Sequence, residues 1–211
     1  MKDESIRSEI IRIAREFNTT GLSAGSSGNI SVLTGATLLI TPTRIPYYHM
    51  APADLVVLDM EGAVVSGDNR PSTEWHFHCG IYRQRTDTGA VVHVHSPYAT
   101  ALACVRQDIP AFHYLIAGAG GDSIRCSAYA TFGTEALSRN AIIALKDRKA
   151  CLLANHGMIA IGPDLQSAYR MAQAVEELAK HYCLSRQIGE PVLLDREEIK
   201  RILEKFRTYN A

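Results

Sequence analysis

No two cysteines in this chain form a C-x-x-C pair. The five present (Cys79, Cys104, Cys126, Cys151 and Cys183) are scattered and odd in number, which excludes a disulfide framework and a thiolate metal site as organising features. They are expected to be buried, reduced thiols. Net charge is missing too: 22 Lys and Arg offset 22 Asp and Glu, so no global field draws the chain to nucleic acid or to an acidic membrane surface. Any anion must be recognised locally. No apolar run approaches the length of a membrane span or signal core, and Met1-Lys2-Asp3-Glu4-Ser5 is charged. The expectation is a cytoplasmic protein with no membrane and no nucleic-acid partner. Repeats, low-complexity tracts and linkers are also absent, and 211 residues suit a single domain spanning 1–211 of soluble α/β type.

What is present centres on Ala90-Val91-Val92-His93-Val94-His95-Ser96-Pro97. In an extended strand Val92 and Val94 point to one face, and His93 and His95 point together to the other. Two such imidazoles form a chelating pair, although the same letters also suit two surface histidines on a half-exposed edge strand. Ser96-Pro97 ends the strand and opens a helix over 97–106. Amphipathic spacing predicts a first helix over 3–18, and further patterning predicts strands at 36–41 and 55–59 and a helix at 134–146. Ala150 to Ala154 reads as a buried strand turning through Asn155-His156-Gly157 into a second strand, Met158 to Ile161. Pro163 opens a long helix to about Arg186, and Asp195 with Glu198 caps a last one. Gly25-Ser26-Ser27-Gly28-Asn29 and Thr41-Pro42-Thr43-Arg44 are polar loops that either cradle a phosphate or serve as plain turns. They lack the lysine of a nucleotide P-loop.

Eight histidines invite false positives. His76 and His78 repeat the H-x-H letters inside a predicted helix, where residues two apart face opposite ways, so they read as a decoy. Ser72 or Thr73 caps that helix, with Glu74 in its first turn, where Glu74 and His78 make a helix-surface pair. His49, His113 and His181 stand alone. His156 differs because a tight turn between apolar strands holds it rigidly. Three neutral imidazoles with an open fourth position describe a catalytic zinc site.

With these residues in view, the chain resembles the class II aldolases of the L-fuculose-1-phosphate aldolase type, in the superfamily of aldolases, ribulose-5-phosphate 4-epimerases and adducins. The likeness runs end to end, through Gly25 to Asn29, Ile40 to Tyr47, Pro71 to His78, Val91 to His95, His113 to Gly121, Tyr129 to Thr134, Asn155 to Gly157 and Glu204 to Tyr209. It implies a three-layer α/β/α fold with a central, mostly antiparallel sheet, assembled as a homotetramer with interfacial sites. It implies Zn²⁺ on His93, His95 and His156, with Mn²⁺ or Co²⁺ as substitutes, and Glu74 as the base. Tyr114 matches a tyrosine that reaches a neighbouring subunit's site and protonates the aldehyde oxygen. Ser26, Ser27, Gly28, Asn29, Thr43, Arg44, Ser72 and Thr73 fall on the loops for the phosphate of a phosphorylated sugar, and Phe132 and Tyr209 near the aldehyde pocket. The activity implied is cleavage of a ketose 1-phosphate, of the L-fuculose 1-phosphate type, into dihydroxyacetone phosphate and a small aldehyde. The chemistry suits these residue types: the divalent ion stabilises an enediolate without a Schiff-base lysine, and a tyrosine near its ordinary pKa of about 10 stays protonated as an acid.

Two positions depart from the family pattern. Arg44 stands where glycine is usual, and Thr73 where a second serine is, so a hydroxyl is kept at one and a cation added at the other. Three rival readings accompany the first: a 5-deoxyribulose or 5-methylthioribulose 1-phosphate aldolase, an L-ribulose-5-phosphate 4-epimerase, and a non-catalytic adducin-like module. The epimerases carry Asp at the place of Glu74, whereas Asp122 lies near where they place an acid.

Overall fold

The computed structural model describes residues 2–209, with side chains from 4 to 208. In chain order the elements are α1 (Lys2–Thr20), β1 (Asn29–Thr34), β2 (Thr37–Ile40), β3 (Val56–Leu58), β4 (Val64–Ser66), α2 (Trp75–Gln84), β5 (Ala90–Val94), α3 (Pro97–Cys104), β6 (Ile109–Pro110), β7 (Ser123–Ser127), α4 (Glu135–Ala144), β8 (Ala150–Leu153), β9 (Gly157–Gly162), α5 (Leu165–Ile188) and α6 (Arg196–Tyr209). The predicted elements appear where the patterning put them. The long helix is capped by Asp164 rather than opened by Pro163, because the Asp164 carboxylate accepts from the Ser167 amide at 2.7 Å. The last helix starts as expected, with Asp195 accepting from the Glu198 amide at 2.8 Å.

The strands form one sheet in the order β4-β3-β2-β1-β5-β9-β8-β7-β6. Every pairing is antiparallel except β7 with β8. Helices cover both faces. On one, Ile10, Ile13 and Phe17 of α1, Leu102 of α3 and Ala172 and Val175 of α5 pack on Ile30, Val92 and Val94. On the other, Phe77 and Ile81 of α2 and Leu137 and Ala141 of α4 pack on Ile40, Val91 and Ile159. This is a three-layer α/β/α arrangement. Each large apolar side chain so buried contributes roughly 1.5–3 kcal/mol, offset by the entropy of ordering it.

Alternation along β5 carries through to function. Val92 and Val94 join the α1/α3/α5 core, while His93 faces α2, with its ring edge-on to Phe77 at 5.5 Å. The half-exposed edge-strand reading is excluded, since all five residues of β5 are buried between β1 and β9. The thiols depart from expectation in part: all five are free, but only Cys79 and Cys151 are buried, and Cys104 is exposed. Among the described residues no helix is long and apolar enough to cross a membrane.

Candidate metal centre and substrate cleft

His93, His95 and His156 reach one point from two elements. His93 leaves β5 toward α2, His95 follows just past the strand end, and His156 sits in the turn between β8 and β9, the latter paired directly to β5. Two glycines make this approach feasible. A Cβ on Gly28 would meet the His93 carbonyl oxygen at 2.4 Å, and one on Gly157 would meet the Val94 carbonyl at 2.6 Å and the His95 ring at 2.8 Å. The turn itself is anchored: Asn155, at φ +55°, donates through its amide nitrogen to the Cys104 carbonyl at 3.1 Å and accepts from Arg106 at 3.0 Å. His95 is anchored through its backbone N–H, which donates to the Ser23 hydroxyl at 2.9 Å.

The ligand atoms of the three histidines lie within 4.8 Å of one another. The His93 Nδ1–H donates to the Met158 carbonyl at 2.8 Å, which fixes the tautomer and turns the Nε2 lone pair inward. That Nε2 lies 2.9 Å from Nε2 of His95. Two inward lone pairs so close repel unless a proton or a cation sits between them. Protonation of His95 and His156 is disfavoured: burial, then His93 and His156, lower His95 to about 3, and burial, then His93, lower His156 to about 4. The donor set therefore fits a divalent ion.

Glu74 closes the group. It occupies the cap position before α2 rather than the first turn, and its carboxylate makes no capping bond. Ser72 accepts from the Glu74 amide at 3.3 Å instead, which frees the acidic side chain to turn inward. Its Oε2 lies 3.2 Å from Nε2 of His93, and Oε1 lies 3.3 Å from Nε2 of His156. Burial alone would raise this carboxyl, but His93, His156 and the Asn29 amide outweigh it and hold it well below the usual carboxylate range. Oε1 is buried without a hydrogen-bond partner.

From this group a cleft of about 400 Å³ opens to solvent, lined by Ser26, Ser27, Gly28, Asn29, Thr43, Arg44, Ser72, Thr73, Glu74, His95 and His156, and also by Phe132. A larger groove of about 690 Å³ elsewhere, lined by Ile81, Arg85, Lys146 and Arg148, holds none of the histidines, so volume does not select the site. Three predicted residues fall differently. Tyr114 is half exposed, beside Phe206 with ring centres 6.4 Å apart, and does not line the cleft of its own chain. The Tyr209 side chain lies outside the described residues. Asp122 is exposed, ion-paired with Arg148, and outside the cleft. Tyr129 and Asn155 line the cleft and were missed by sequence reasoning, as was the set behind Glu74. His78, read as a decoy on a helix surface, is completely buried, bonded to Ser31 and Asn29. Spacing held the signal: Glu74, His78 and Tyr82 fall at i, i+4 and i+8 on one helix face.

These buried rings predict acid sensitivity. Burial, then His93, lower His78 to about 3 from an ordinary 6.5. The unfolded chain therefore takes up protons below pH 6.5 that the fold refuses at His78, His95 and His156. Their contribution is complete above about 6.5 and is lost as pH falls, at roughly 1.4 kcal/mol per pH unit for the fully buried His78. Urea unfolding of metal-free protein should show a lower midpoint at pH 5 than at pH 7.5, and equal midpoints would contradict it.

A three-layer fold with a mostly antiparallel sheet, holding three histidines beside an ionised carboxylate, defines a metal-dependent enzyme class rather than a scaffold. The chain belongs to the class II aldolase and adducin N-terminal domain family, which it matches over residues 8–183, and it is an aldolase of the L-fuculose-1-phosphate aldolase type. It is 51% identical over 205 residues to a 5-methylthioribulose-1-phosphate/5-deoxyribulose-1-phosphate aldolase of Rhodospirillum rubrum, covering 97% of this chain and 92% of that one. It is 44% identical over 210 residues to the L-fuculose phosphate aldolase of Escherichia coli, covering 99% and 97%. Its fold superposes on a solved L-fuculose 1-phosphate aldolase with a TM-score of 0.93 at 41% identity, covering 96% of each chain.

Proposed function

We propose that this protein is a zinc-dependent, cytoplasmic aldolase that reversibly cleaves a ketose 1-phosphate into dihydroxyacetone phosphate and a small aldehyde. One observation carries the reading: a single cleft is lined by His95, His156 and Glu74, with His93 buried within reach of the other two imidazoles, and by the small polar loops of 26–29, 43–44 and 72–73. A divalent ion on His93, His95 and His156 supplies Lewis-acid stabilisation of enediolate charge. In the condensing direction Glu74 Oε1 takes the proton from the hydroxymethyl carbon of dihydroxyacetone phosphate. The electron pair left on that carbon attacks the aldehyde carbon, and the aldehyde oxygen takes a proton from the Tyr114 hydroxyl of a neighbouring subunit. Cleavage is the reverse. The exposure of Tyr114 away from its own cleft supports delivery to another subunit, as in a homotetramer with interfacial sites. Tyr114→Phe should slow cleavage roughly 10²-fold or more while metal content stays at wild type; equal loss of metal would make its role structural.

Arg44 supports recognition of the phosphate by charge. It lines the cleft at φ +63°, a conformation that glycine adopts freely and an arginine only at a cost of about 1–2 kcal/mol. A strained cation at the mouth is explained by a charge-assisted contact to the substrate. Arg44→Gly should therefore raise KM for the phosphorylated substrate several-fold while raising the melting temperature. A KM that does not move would remove Arg44 from the phosphate site.

The aldehyde half has a second reading. Identity of 51% to the methylthioribulose/deoxyribulose enzyme, against 44% to the fuculose enzyme, favours a 5-deoxypentulose 1-phosphate. The exposed apolar rings of Tyr129 and Phe132 on the cleft wall suit its unsubstituted or thioether end. Measuring kcat/KM for L-fuculose, 5-deoxyribulose and 5-methylthioribulose 1-phosphates decides between them: dihydroxyacetone phosphate should appear from all, fastest from the last two. Release of none from any, with L-ribulose 5-phosphate epimerised instead, would replace the aldolase reading.

A further inference from the structure

We infer that His78 is a positioning residue for Glu74, acting through Asn29 to hold one carboxylate oxygen and leave the other free to move the proton. This rests on Glu74 being the base. Glu74, His78 and Tyr82 rise along one face of α2 four residues apart, about 6 Å per step, and Asn29 and Ser31 stand two apart on β1, about 6.8 Å. The two spacings match, so helix and strand mesh side chain by side chain across a buried seam. Along it Tyr82 Oη lies 2.7 Å from Ser31 Oγ, Ser31 Oγ 2.6 Å from His78 Nδ1, His78 Nε2 2.6 Å from Asn29 Oδ1, and Asn29 Nδ2 2.9 Å from Glu74 Oε2. Asn29 is also the cross-strand partner of His93, so the seam is registered against the metal centre by the sheet itself.

Every donor in this chain is determined from its Glu74 end. An ionised carboxylate only accepts, so Asn29 must present its N–H to Oε2 and its carbonyl to His78. His78 Nε2 must then carry the proton, Nδ1 must accept from the Ser31 hydroxyl, and Ser31 must accept from Tyr82. No proton passes along the row, because the Asn29 amide has none to relay. Its effect is orientation: Oε2 is pinned, and Oε1, the oxygen with no hydrogen-bond partner, is left 3.3 Å from Nε2 of His156, another residue of the cleft wall. Asn29, placed with the phosphate loops on resemblance, has its carbonyl and one N–H committed here.

Exchange of the hydroxymethyl hydrogen of dihydroxyacetone phosphate in D₂O, followed by proton NMR, reads the step directly without any aldehyde. A C–H bond breaks, the proton goes to Oε1, and a deuteron returns. His78→Leu, which leaves the Asn29 carbonyl unpaired and its amide free to flip, should lower the exchange kcat about 10- to 100-fold with KM and metal content unchanged. His78→Gln, which restores an amide N–H toward Asn29, should recover much of that loss. Ser31→Ala, which removes the donor fixing the His78 tautomer, should cost several-fold and serves if His78→Leu does not fold. Wild-type exchange in His78→Leu or Ser31→Ala would overturn the inference, as would equal impairment of His78→Leu and His78→Gln. Glu74→Gln is the control: if it exchanges normally the base assignment itself fails, and if it is inactive while His78→Leu is normal only the positioning role fails.

Discussion

His93→Ala is expected to strip the protein of its metal and take aldolase turnover to background. His93 has the least freedom of the three histidines, with no solvent exposure, its Nδ1 bound to the Met158 carbonyl and its ring against Phe77. Removing it leaves two imidazoles, one on a loop after β5 and one in a turn, too few to hold a divalent ion at the fourfold coordination zinc prefers. The loss should exceed the 10- to 100-fold typical of outer-shell changes. Because an alanine at a buried site also leaves a cavity and an unpaired carbonyl, His156→Ala, in a partly exposed turn, is the cleaner companion variant. Both should lose metal by elemental analysis and lose release of dihydroxyacetone phosphate together. Chelation of wild-type protein should reproduce the loss, and Zn²⁺, Mn²⁺ or Co²⁺ should restore it. Stoichiometric metal in either variant, or turnover that survives chelation, would contradict the tri-histidine assignment and revive the reading of a non-catalytic module.

How much of this was legible in the sequence follows from which interactions are local. The β5 histidines could be read because period-two alternation is a backbone property that the fold preserved, with Val92 and Val94 sent to one core and His93 to the other. The turn at His156 could be read from a glycine after two polar residues between apolar strands. That β9 pairs with β5, which is what brings His156 to His93, could not, because pairing of residues 64 to 72 positions apart leaves no local trace. His78 was misjudged for the same reason. Two apart from His76 on a helix, it was tested only against its neighbours in sequence, whereas its partners Asn29 and Ser31 lie on a distant strand. Arg44 could be flagged as a departure from pattern, but its positive φ needed coordinates. The family resemblance supplied what local physics did not, namely that these separate segments belong to one site.

Glu74→Gln should lower turnover and dihydroxyacetone phosphate exchange by about 10²- to 10⁴-fold, the range for losing a general base. The substitution keeps shape and length, so the geometry around it decides what changes. Asn29 offers an N–H to Oε2, which obliges the new amide to place its oxygen there and its NH₂ where Oε1 stood, beside His156. The free oxygen that would take the substrate proton is then replaced by a donor with no basicity. Metal should stay, since His93, His95 and His156 supply three ligand atoms without it. The cleft also loses one negative charge, so KM for an anionic sugar phosphate should hold or fall rather than rise. A large drop in kcat with metal and KM preserved separates loss of the base from collapse of the site, because collapse would move all three. If Glu74→Gln instead exchanged the hydroxymethyl hydrogen at the wild-type rate, the proton would have to leave through another group. The ionised Glu74 would then serve only to offset the charge of the metal held by the three neutral imidazoles.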